Sequence, residues 1–364
     1  MSRKRPTRRT GRVAAALLCV AVVTSLAPGA AAEPHSAAAG PTVKVMTRNL
    51  YFGADLLPAI ATRTTPELMA AVAGIYSEVQ YTDFPARAKV LAREIARAAP
   101  TLIGLQEAPM WLSGPLLDPA PATHVEYDFI EILRTELAAI GAPYDVVRAQ
   151  PESDIEAPAG APYLKDIRLL DRDAILVKAG LGDEIQLSNP RSGSFLTLLP
   201  LPAGGRLFVS RRGWVSVDVV AGGRSFRFVD THLEAYQPII RTAQAIELLA
   251  GPILSAPGGK VILAGDLNSG PELPALTDRL AFSLLQAFGL VDTWAVAHPG
   301  NPGYTSSFGP RLDEPTLESR IDHVMTLGGI GVAGSEITGT DPHDKTPSGL
   351  WPSDHAGVVA TLTP

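Results

Sequence analysis

Short apolar runs of strand length alternate with longer amphipathic stretches along the chain, and this alternation limits the possible folds more than any other feature. The short runs are rich in Val, Ile and Phe, whereas the longer stretches carry apolar residues three and four positions apart. The first pattern is typical of buried β-strands and the second of amphipathic helices. Because no fixed-period repeat or long charged block interrupts them, the sequence predicts an α/β or α+β protein.

Nine strands and four helices are predicted from these patterns. Residues 214–220 and 225–231 flank Gly222-Gly223, which indicates a β-hairpin and therefore antiparallel neighbours in the sheet. This hairpin disfavours a purely parallel Rossmann topology. The strands are expected at 43–49, 101–106, 144–149, 173–177, 211–220, 225–232, 260–266, 320–325 and 355–362, and the helices at 86–98, 127–140, 238–249 and 273–288.

Two stretches, 151–162 and 191–205, are rich in Pro, Gly and Ser and are predicted to be long surface loops. Neither combines low complexity with a change of composition on both sides, so we expect a single domain from residue 42 to residue 364. The chain has 364 residues, of which 46% are hydrophobic, and this is enough for a sizeable core without disulfide support. Residues 33–41 are predicted to be a flexible leader.

The N-terminus has the pattern of a secretory signal peptide, assigned to residues 1–32. Six basic residues precede the uncharged run 13–26, and small residues follow, ending at Ala30-Ala31-Ala32. The run is shorter than a membrane-spanning helix requires, so we expect a secreted, extracellular protein with no stable membrane anchor. Arg8-Arg9 leaves both the general secretory and the twin-arginine export routes open. No obligate protein partner is evident from the sequence.

Removal of the predicted signal peptide would leave a clearly acidic chain. Residues 1–32 contain six of the 31 Lys and Arg and none of the 37 Asp and Glu, so 25 basic and 37 acidic residues remain, a net charge of −12. Proteins that grip long nucleic acids usually present a basic surface, and this balance disfavours a tight or processive DNA-binding protein. A local basic groove remains compatible with it.

Six short segments place polar side chains at or near predicted strand ends. A carboxylate just outside the carboxyl end of a buried strand is well placed to hold a hard cation, and a histidine there can contact a phosphate oxygen. One segment, Gly265-Asp266-Leu267-Asn268, is more specific, because its Asp and Asn would point the same way in an extended chain. The polar side chains are Asn49, Glu107, His232, Asp266, Asn268, Asp322, Asp354 and His355.

This ordered set resembles the endonuclease/exonuclease/phosphatase superfamily, which includes deoxyribonuclease I, exonuclease III-type nucleases, bacterial sphingomyelinases and inositol polyphosphate 5-phosphatases. The segments that carry the resemblance most strongly are Gly265-Asp266-Leu267-Asn268, Arg320-Ile321-Asp322-His323 and Ser353-Asp354-His355. Thr231-His232-Leu233 looks more like the sphingomyelinase and phosphatase branches than the apurinic-site nucleases. The resemblance implies a four-layer α/β/β/α sandwich with two central mixed β-sheets and a site at one edge.

The resemblance also implies a divalent-metal-dependent hydrolysis of a phosphoric ester by attack of water. Glu107 and Asn49 would hold the principal ion, Mg²⁺ or another divalent cation such as Mn²⁺ or Ca²⁺, and Asp354 would reach it directly or through water. The remaining residues have implied catalytic roles: His355 as general base, Asp322 to orient it, Asp266 to position water, and Asn268 and His232 to stabilise developing charge. With a second ion, Asp266 and Asn268 would be its ligands.

The substrate is the least constrained part of this prediction. A phospholipid headgroup or another small phosphodiester, as in a sphingomyelinase or phospholipase C, is ranked beside nucleic acid, as in a deoxyribonuclease. A catalytically silent binding module on the same fold is the alternative from a different class. A serine hydrolase is disfavoured because the sequence lacks a Gly-x-Ser-x-Gly elbow.

Overall fold

The computed structural model describes residues 42–314 and 316–364. The predicted signal peptide, 1–32, and leader, 33–41, lie outside these residues and stay predictions. In the described part the helices are α1 Leu57–Ile60, α2 Thr65–Tyr81, α3 Phe84–Ala98, α4 Phe129–Ala139, α5 Pro238–Leu248, α6 Leu276–Ala287 and α7 Thr293–Ala297.

The strands of the described part are β1 Val43–Asn49, β2 Leu102–Gln106, β3 Met110–Pro115, β4 His124–Asp128, β5 Tyr144–Ala159, β6 Lys165–Lys178, β7 Ile185–Ser194, β8 Leu199–Ala203, β9 Arg206–Ser210, β10 Gly213–Ala221, β11 Arg224–His232, β12 Val261–Asp266, β13 Val291–Asp292, β14 Asp322–Leu327, β15 Gly331–Thr338 and β16 Gly357–Thr363.

Two large mixed sheets form the centre of the fold. The first has the order β15-β16-β1-β2-β6-β3-β4, with β5 also paired to β6, and the second has the order β13-β14-β12-β11-β10-β7. Each contains one parallel pair, β1 with β2 and β11 with β12, among antiparallel neighbours. Strands β8 and β9 form a separate two-stranded sheet. The predicted α/β class and its two mixed sheets are therefore confirmed.

Three apolar clusters separate four layers. Strands of both sheets contribute Val45, Ile175, Val217 and Phe228 to the central cluster, which lies between the sheets. Helices α2, α3 and α4 cover the other face of the first sheet. Helices α5 and α6 cover the second sheet in the same way. Burial of apolar surface on both faces of each sheet holds the sandwich together.

Both predicted surface loops were wrong, because most of each is extended and paired. Residues 151–159 continue β5, and the stretch 191–205 contains the end of β7 and the whole of β8. Proline lacks the amide proton that a strand flanked on both sides must donate, so Pro in these stretches argued against strands. However, among residues 42–314 and 316–364 β5 pairs only with β6 and β8 only with β9, so each has an edge without a strand partner there, and such an edge tolerates Pro.

No helix within residues 42–314 and 316–364 has the length and apolar character needed to span a bilayer.

Candidate active site

The strand pairing brings the predicted site residues to one edge of the sandwich. Asn49 ends β1, and Glu107 directly follows its parallel neighbour β2. His232 and Asp266 occupy the last, paired positions of the parallel strands β11 and β12. Asp322 begins β14 directly opposite Asp266, because this pair is antiparallel. Ends of parallel strands and starts of antiparallel ones meet at the same edge, and the side chains converge there.

A histidine–carboxylate pair lies at the centre of this edge. The His355 ring lies with Nδ1 2.8 Å from Asp322 Oδ2, and the Thr305 hydroxyl donates to the same oxygen at 2.7 Å. Donation from Nδ1 leaves Nε2 directed to the Ser306 hydroxyl, at 3.5 Å, and 3.9 Å from Asp354 Oδ1. Burial disfavours the imidazolium, but the charges of Asp322, Asp354 and Asp266 outweigh burial and raise the pKa of His355 well above its usual value.

Asp266 connects the rest of the cluster. Its Oδ2 accepts a hydrogen bond from the Asn49 amide at 3.1 Å and lies 3.5 Å from His232 Nε2. Its Oδ1 accepts from the backbone N–H of Asn268 at 2.8 Å. Burial, followed by the charge of Asp322, raises the pKa of Asp266 to about 6.

Gly265 is required for the approach of β12 to β11. A Cβ at this position would lie 2.2 Å from the carbonyl oxygen of Thr231, so any larger residue would push the two strands apart. The reason given for the convergence of Asp266 and Asn268 was wrong, because the backbone at Asn268 is left-handed (φ 46°) instead of extended. The turn, closed by the bond to Asp266, directs the Asn268 amide to within 3.0 Å of His232 Nε2.

Arg212 fixes the protonation of His232. Its guanidinium donates to His232 Nδ1 at 2.8 Å and to Asp171 Oδ2 at 3.2 Å. Nδ1 is therefore an acceptor, and the ring proton lies on Nε2, toward Asp266 and Asn268. Burial, followed by the charge of Arg212, lowers the pKa of His232 well below its usual value. His232 is thus a neutral hydrogen-bond donor at the site.

Glu107 and Asp354 line an open cleft beside the His355–Asp322 pair. The cleft encloses about 820 Å³, counting the part open to solvent, and Tyr51, Arg212 and Tyr236 also line it. Glu107 Oε2 accepts from the backbone N–H of Phe52 at 2.9 Å. Burial, followed by the charge of Asp354, raises the pKa of Glu107 to about 8. Two carboxylates that line the same cleft suit a hard cation with oxygen ligands.

Asn49 is tied more closely to Asp266 than to this pair of carboxylates. Its amide nitrogen donates to Asp266, and its Oδ1 accepts from the N–H of Tyr51 at 2.8 Å. One lone pair of Oδ1 is left for a further partner. All eight predicted residues therefore lie at the same edge, while their individual roles stay predictions.

Buried arginines order the loops that carry these groups. Arg87 donates to the carbonyls of Leu50 at 2.6 Å, Pro352 at 3.0 Å and Tyr51 at 3.2 Å, joining the loop after β1 to the segment that contains Asp354. Arg48 pairs with Glu94 at 3.0 Å and also donates to the carbonyl of His355. Neither arginine was predicted from the sequence, and neither were Arg212 and Thr305. Arg48 lies one residue before Asn49, but nothing local distinguishes its role.

Comparison with family models supplies the decisive observation, because a model described as "Endonuclease/Exonuclease/phosphatase family" matches residues 72–355. The chain belongs to the endonuclease/exonuclease/phosphatase family. As a member of this family it is a metal-dependent hydrolase of phosphoric esters. The predicted family is confirmed, whereas its sphingomyelinase-leaning branch stays a prediction.

Solved structures agree on the fold. A humanised D. rerio TDP2 with 14 mutations aligns with a TM-score of 0.53 at 16% identity, covering 89% of this chain and 99% of that one. A mannosyl-6-phosphatase from Bacteroides thetaiotaomicron aligns with a TM-score of 0.52 at 18% identity, covering 88% and 99%. An endonuclease/exonuclease/phosphatase from Bacteroides vulgatus gives 0.52 at 15% identity, covering 88% and 98%. No curated protein sequence matches the chain.

Proposed function

We propose that this member of the endonuclease/exonuclease/phosphatase family is a secreted phosphodiesterase that uses a divalent cation and a histidine base to direct water at phosphorus. The observation that carries the proposal is the His355–Asp322 pair, at 2.8 Å, beside the carboxylates of Glu107 and Asp354. Phosphate esters resist attack because their charge repels the nucleophile. A site for this reaction must therefore offset negative charge and accept a proton from water.

Glu107 and Asp354 are the residues proposed to hold the cation, with Asn49 Oδ1 as a further oxygen ligand. A bound divalent ion would offset charge on the phosphoryl oxygens and orient the substrate. Asp266, Asp322 and His355 also present ligand atoms within 4.8 Å of one another. We assign the ion to the other set because His355 Nδ1 and Asp322 Oδ2, at 2.8 Å, already share a proton.

The side chains around His355 would divide the remaining work. A cation held by Glu107 and Asp354 would partly offset the negative charge that raises the pKa of His355, which would favour the neutral ring. Nε2 of the neutral ring would accept the proton of the attacking water, while Asp322 holds the ring and stabilises the resulting imidazolium. His232 Nε2–H and the Asn268 amide are hydrogen-bond donors fixed 3.0 Å apart, and they would stabilise the charge that develops on the phosphoryl oxygens. Asp266, held by Asn49 and by the N–H of Asn268, would position the water.

For the substrate we rank a phospholipid headgroup or small phosphodiester beside nucleic acid. The net charge of −12 that remains after removal of residues 1–32 weighs against a long polyanion. In favour of nucleic acid, the structurally similar D. rerio TDP2 has been solved in complex with a single-strand DNA product. Another structural neighbour is a mannosyl-6-phosphatase. The proposal of secretion is based on the signal-peptide pattern of residues 1–32. Intact-mass analysis of the exported protein tests it, because cleavage after Ala32 gives a chain that begins at Glu33.

One assay separates these possibilities. The purified protein with Mg²⁺ is given plasmid DNA, sphingomyelin vesicles, bis-p-nitrophenyl phosphate and, as a monoester, p-nitrophenyl phosphate. We expect diester hydrolysis that chelation with EDTA abolishes and that His355→Ala lowers at least 10²-fold. Glu107→Gln should weaken Mg²⁺ binding in calorimetry. Hydrolysis of the monoester alone would replace phosphodiesterase by phosphatase. If none of the substrates is hydrolysed and Mg²⁺ does not bind, the catalytically silent binding module is the favoured alternative.

A further inference from the structure

An apolar cavity adjoins the cleft that contains Glu107 and Asp354. It encloses about 890 Å³, counting the part open to solvent. Strands β5 and β6 form one wall, helices α1 and α2 another, and the β8–β9 hairpin a third. The side chains that line it are mainly aliphatic or aromatic, among them Ile60, Leu68, Ile75, Trp111, Leu169 and Phe208.

The cavity and the cleft adjoin each other. Phe52, Leu56, Arg212 and Tyr236 line both spaces. A substrate whose phosphate is held at Glu107 and Asp354 therefore has the cavity next to it, on the other side of these four residues. An apolar space that opens beside a reaction site is a candidate binding site for a remote part of the substrate.

The chemistry of the wall selects that occupant. Its two serines are engaged elsewhere, since Ser210 donates to Glu234 Oε2 at 2.8 Å and Ser153 bonds to the backbone of Arg211. Its charged groups are one ion pair, Asp171 with Arg212 at 3.2 Å, and Arg212 also lines the cleft. A nucleobase or sugar that entered the cavity beyond this pair would leave most of its polar edges without partners, at a large cost in affinity. A hydrocarbon chain in the same place loses no hydrogen bonds, and removal of its apolar surface from water favours its binding.

We propose that the cavity binds the hydrocarbon chain of the substrate, and hence that the substrate is an amphiphilic phosphodiester, a lipid. This inference rests on the proposed phosphodiesterase function and names its substrate class. Chain binding would lower KM more than it raises kcat, because the chain is remote from the bond that breaks.

The test uses n-alkyl phosphates, from ethyl to dodecyl and below their micellar concentrations, as inhibitors of bis-p-nitrophenyl phosphate hydrolysis. Each methylene that enters the cavity should lower the inhibition constant about fourfold, until the cavity is full and the constant levels off. The matched variants are Ala59→Trp, which fills the cavity wall, and Ala61→Trp, which adds the same bulk at an exposed position outside it.

The ratio of the ethyl to the dodecyl inhibition constant is the readout. We expect Ala59→Trp to reduce this ratio at least tenfold and Ala61→Trp to leave it unchanged. An inhibition constant that does not depend on chain length in the natural sequence overturns the inference while the phosphodiesterase stands. Full chain-length dependence in Ala59→Trp overturns it equally.

Binding without turnover gives an independent measurement. Trp111 lines the cavity, and its Nε1 donates to the carbonyl of Phe52 at 2.9 Å. A 12-bromododecyl phosphate seated in the cavity should quench the fluorescence of Trp111, and Trp111→Phe should remove that part of the quenching. If the protein hydrolyses nothing and quenching persists, the proposed function fails and the cavity assignment stands. Absence of quenching overturns the cavity assignment.

Discussion

Replacing Asp322 with Asn tests the assigned base directly. The Asp322 carboxylate is 1% exposed, and its Oδ2 accepts from the Thr305 hydroxyl and is hydrogen-bonded to His355 Nδ1. The substitution keeps the size of the side chain and removes its charge. It does not alter the cleft, because Asp322 lies behind His355 and does not line the cleft wall.

The expected loss follows from that contact. A hydrogen bond to a charged group contributes about 1.5–3 kcal/mol, and the imidazolium formed during proton transfer is such a group. Loss of this stabilisation alone corresponds to a decrease in kcat of roughly tenfold to 150-fold. An Asn amide can also donate to Nδ1 and hold the wrong tautomer, which brings the loss toward the roughly 10⁴-fold upper range of acid–base catalysis. KM should change little.

Initial rates with bis-p-nitrophenyl phosphate, measured across pH, provide the assay. Asp344→Asn serves as a matched control, because Asp344 is also a buried carboxylate, paired with Arg97 at 2.6 Å instead of with the site. Thr305→Val should lower kcat less than Asp322→Asn does, since it removes one hydrogen bond to the Asp322 carboxylate and leaves the charge of the carboxylate in place. If folded Asp322→Asn retains kcat within threefold of the natural sequence, His355 is not the base that Asp322 supports.

Three further predictions concern stability, each measured by urea unfolding. Arg212→Met removes the buried cation that pairs with Asp171 and should lower the free energy of unfolding by about 3–5 kcal/mol. A change below about 1 kcal/mol would show that the Asp171 carboxyl group is already neutral in the folded protein. Burial lowers the pKa of His323 to about 4, so as pH falls below about 6.5 this histidine takes up a proton in the unfolded chain before it does so in the folded one. The free energy of unfolding should therefore fall by up to about 3 kcal/mol by pH 4. His323→Gln should flatten this pH dependence. Leu91→Ala, fully buried in α3, should cost about 2–5 kcal/mol, whereas Lys89→Ala on the exposed face should change stability by less than about 0.5 kcal/mol.

The strand ends that carry the chemistry were predictable because their signal is local. The predicted ends at 49, 106, 232 and 266 coincide with the ends of β1, β2, β11 and β12. In β2 and β12 a continuous apolar run stops at a polar side chain, whereas in β1 and β11 polar residues are interspersed among the apolar ones before the polar end. The β10–β11 hairpin was equally clear, because Gly222 and Gly223 adopt positive φ and close its turn.

Helix α2 was missed although its start carries a clear signal. Thr64 and Glu67 form a capping box, and Pro66 stands within the first turn. The helix was overlooked because its apolar face is diluted by Ala, Gly and Tyr, so its periodicity is weak. A search for caps before periodicity would have found it.

The missed strands have a different cause. Nothing in residues 151–159 or 199–203 shows which edge of a sheet they join, and an edge position is what makes their prolines acceptable. The role of Arg212 depends on contacts of the same kind, since Asp171 and His232 reach it from β6 and β11. Such contacts follow from pairing between distant segments, which local sequence patterns do not encode.

This division explains why the chemistry could be predicted and the substrate could not. The reacting groups lie at or beside the starts or ends of single strands, so each is marked by its own neighbours in the chain. The cavity instead lies between α1, α2, β5, β6 and the β8–β9 hairpin, and several of these elements are the ones that sequence patterns failed to define. Its volume depends on how far apart packing holds them. Reaction type is thus encoded at strand ends, whereas substrate choice is set by the elements added around them.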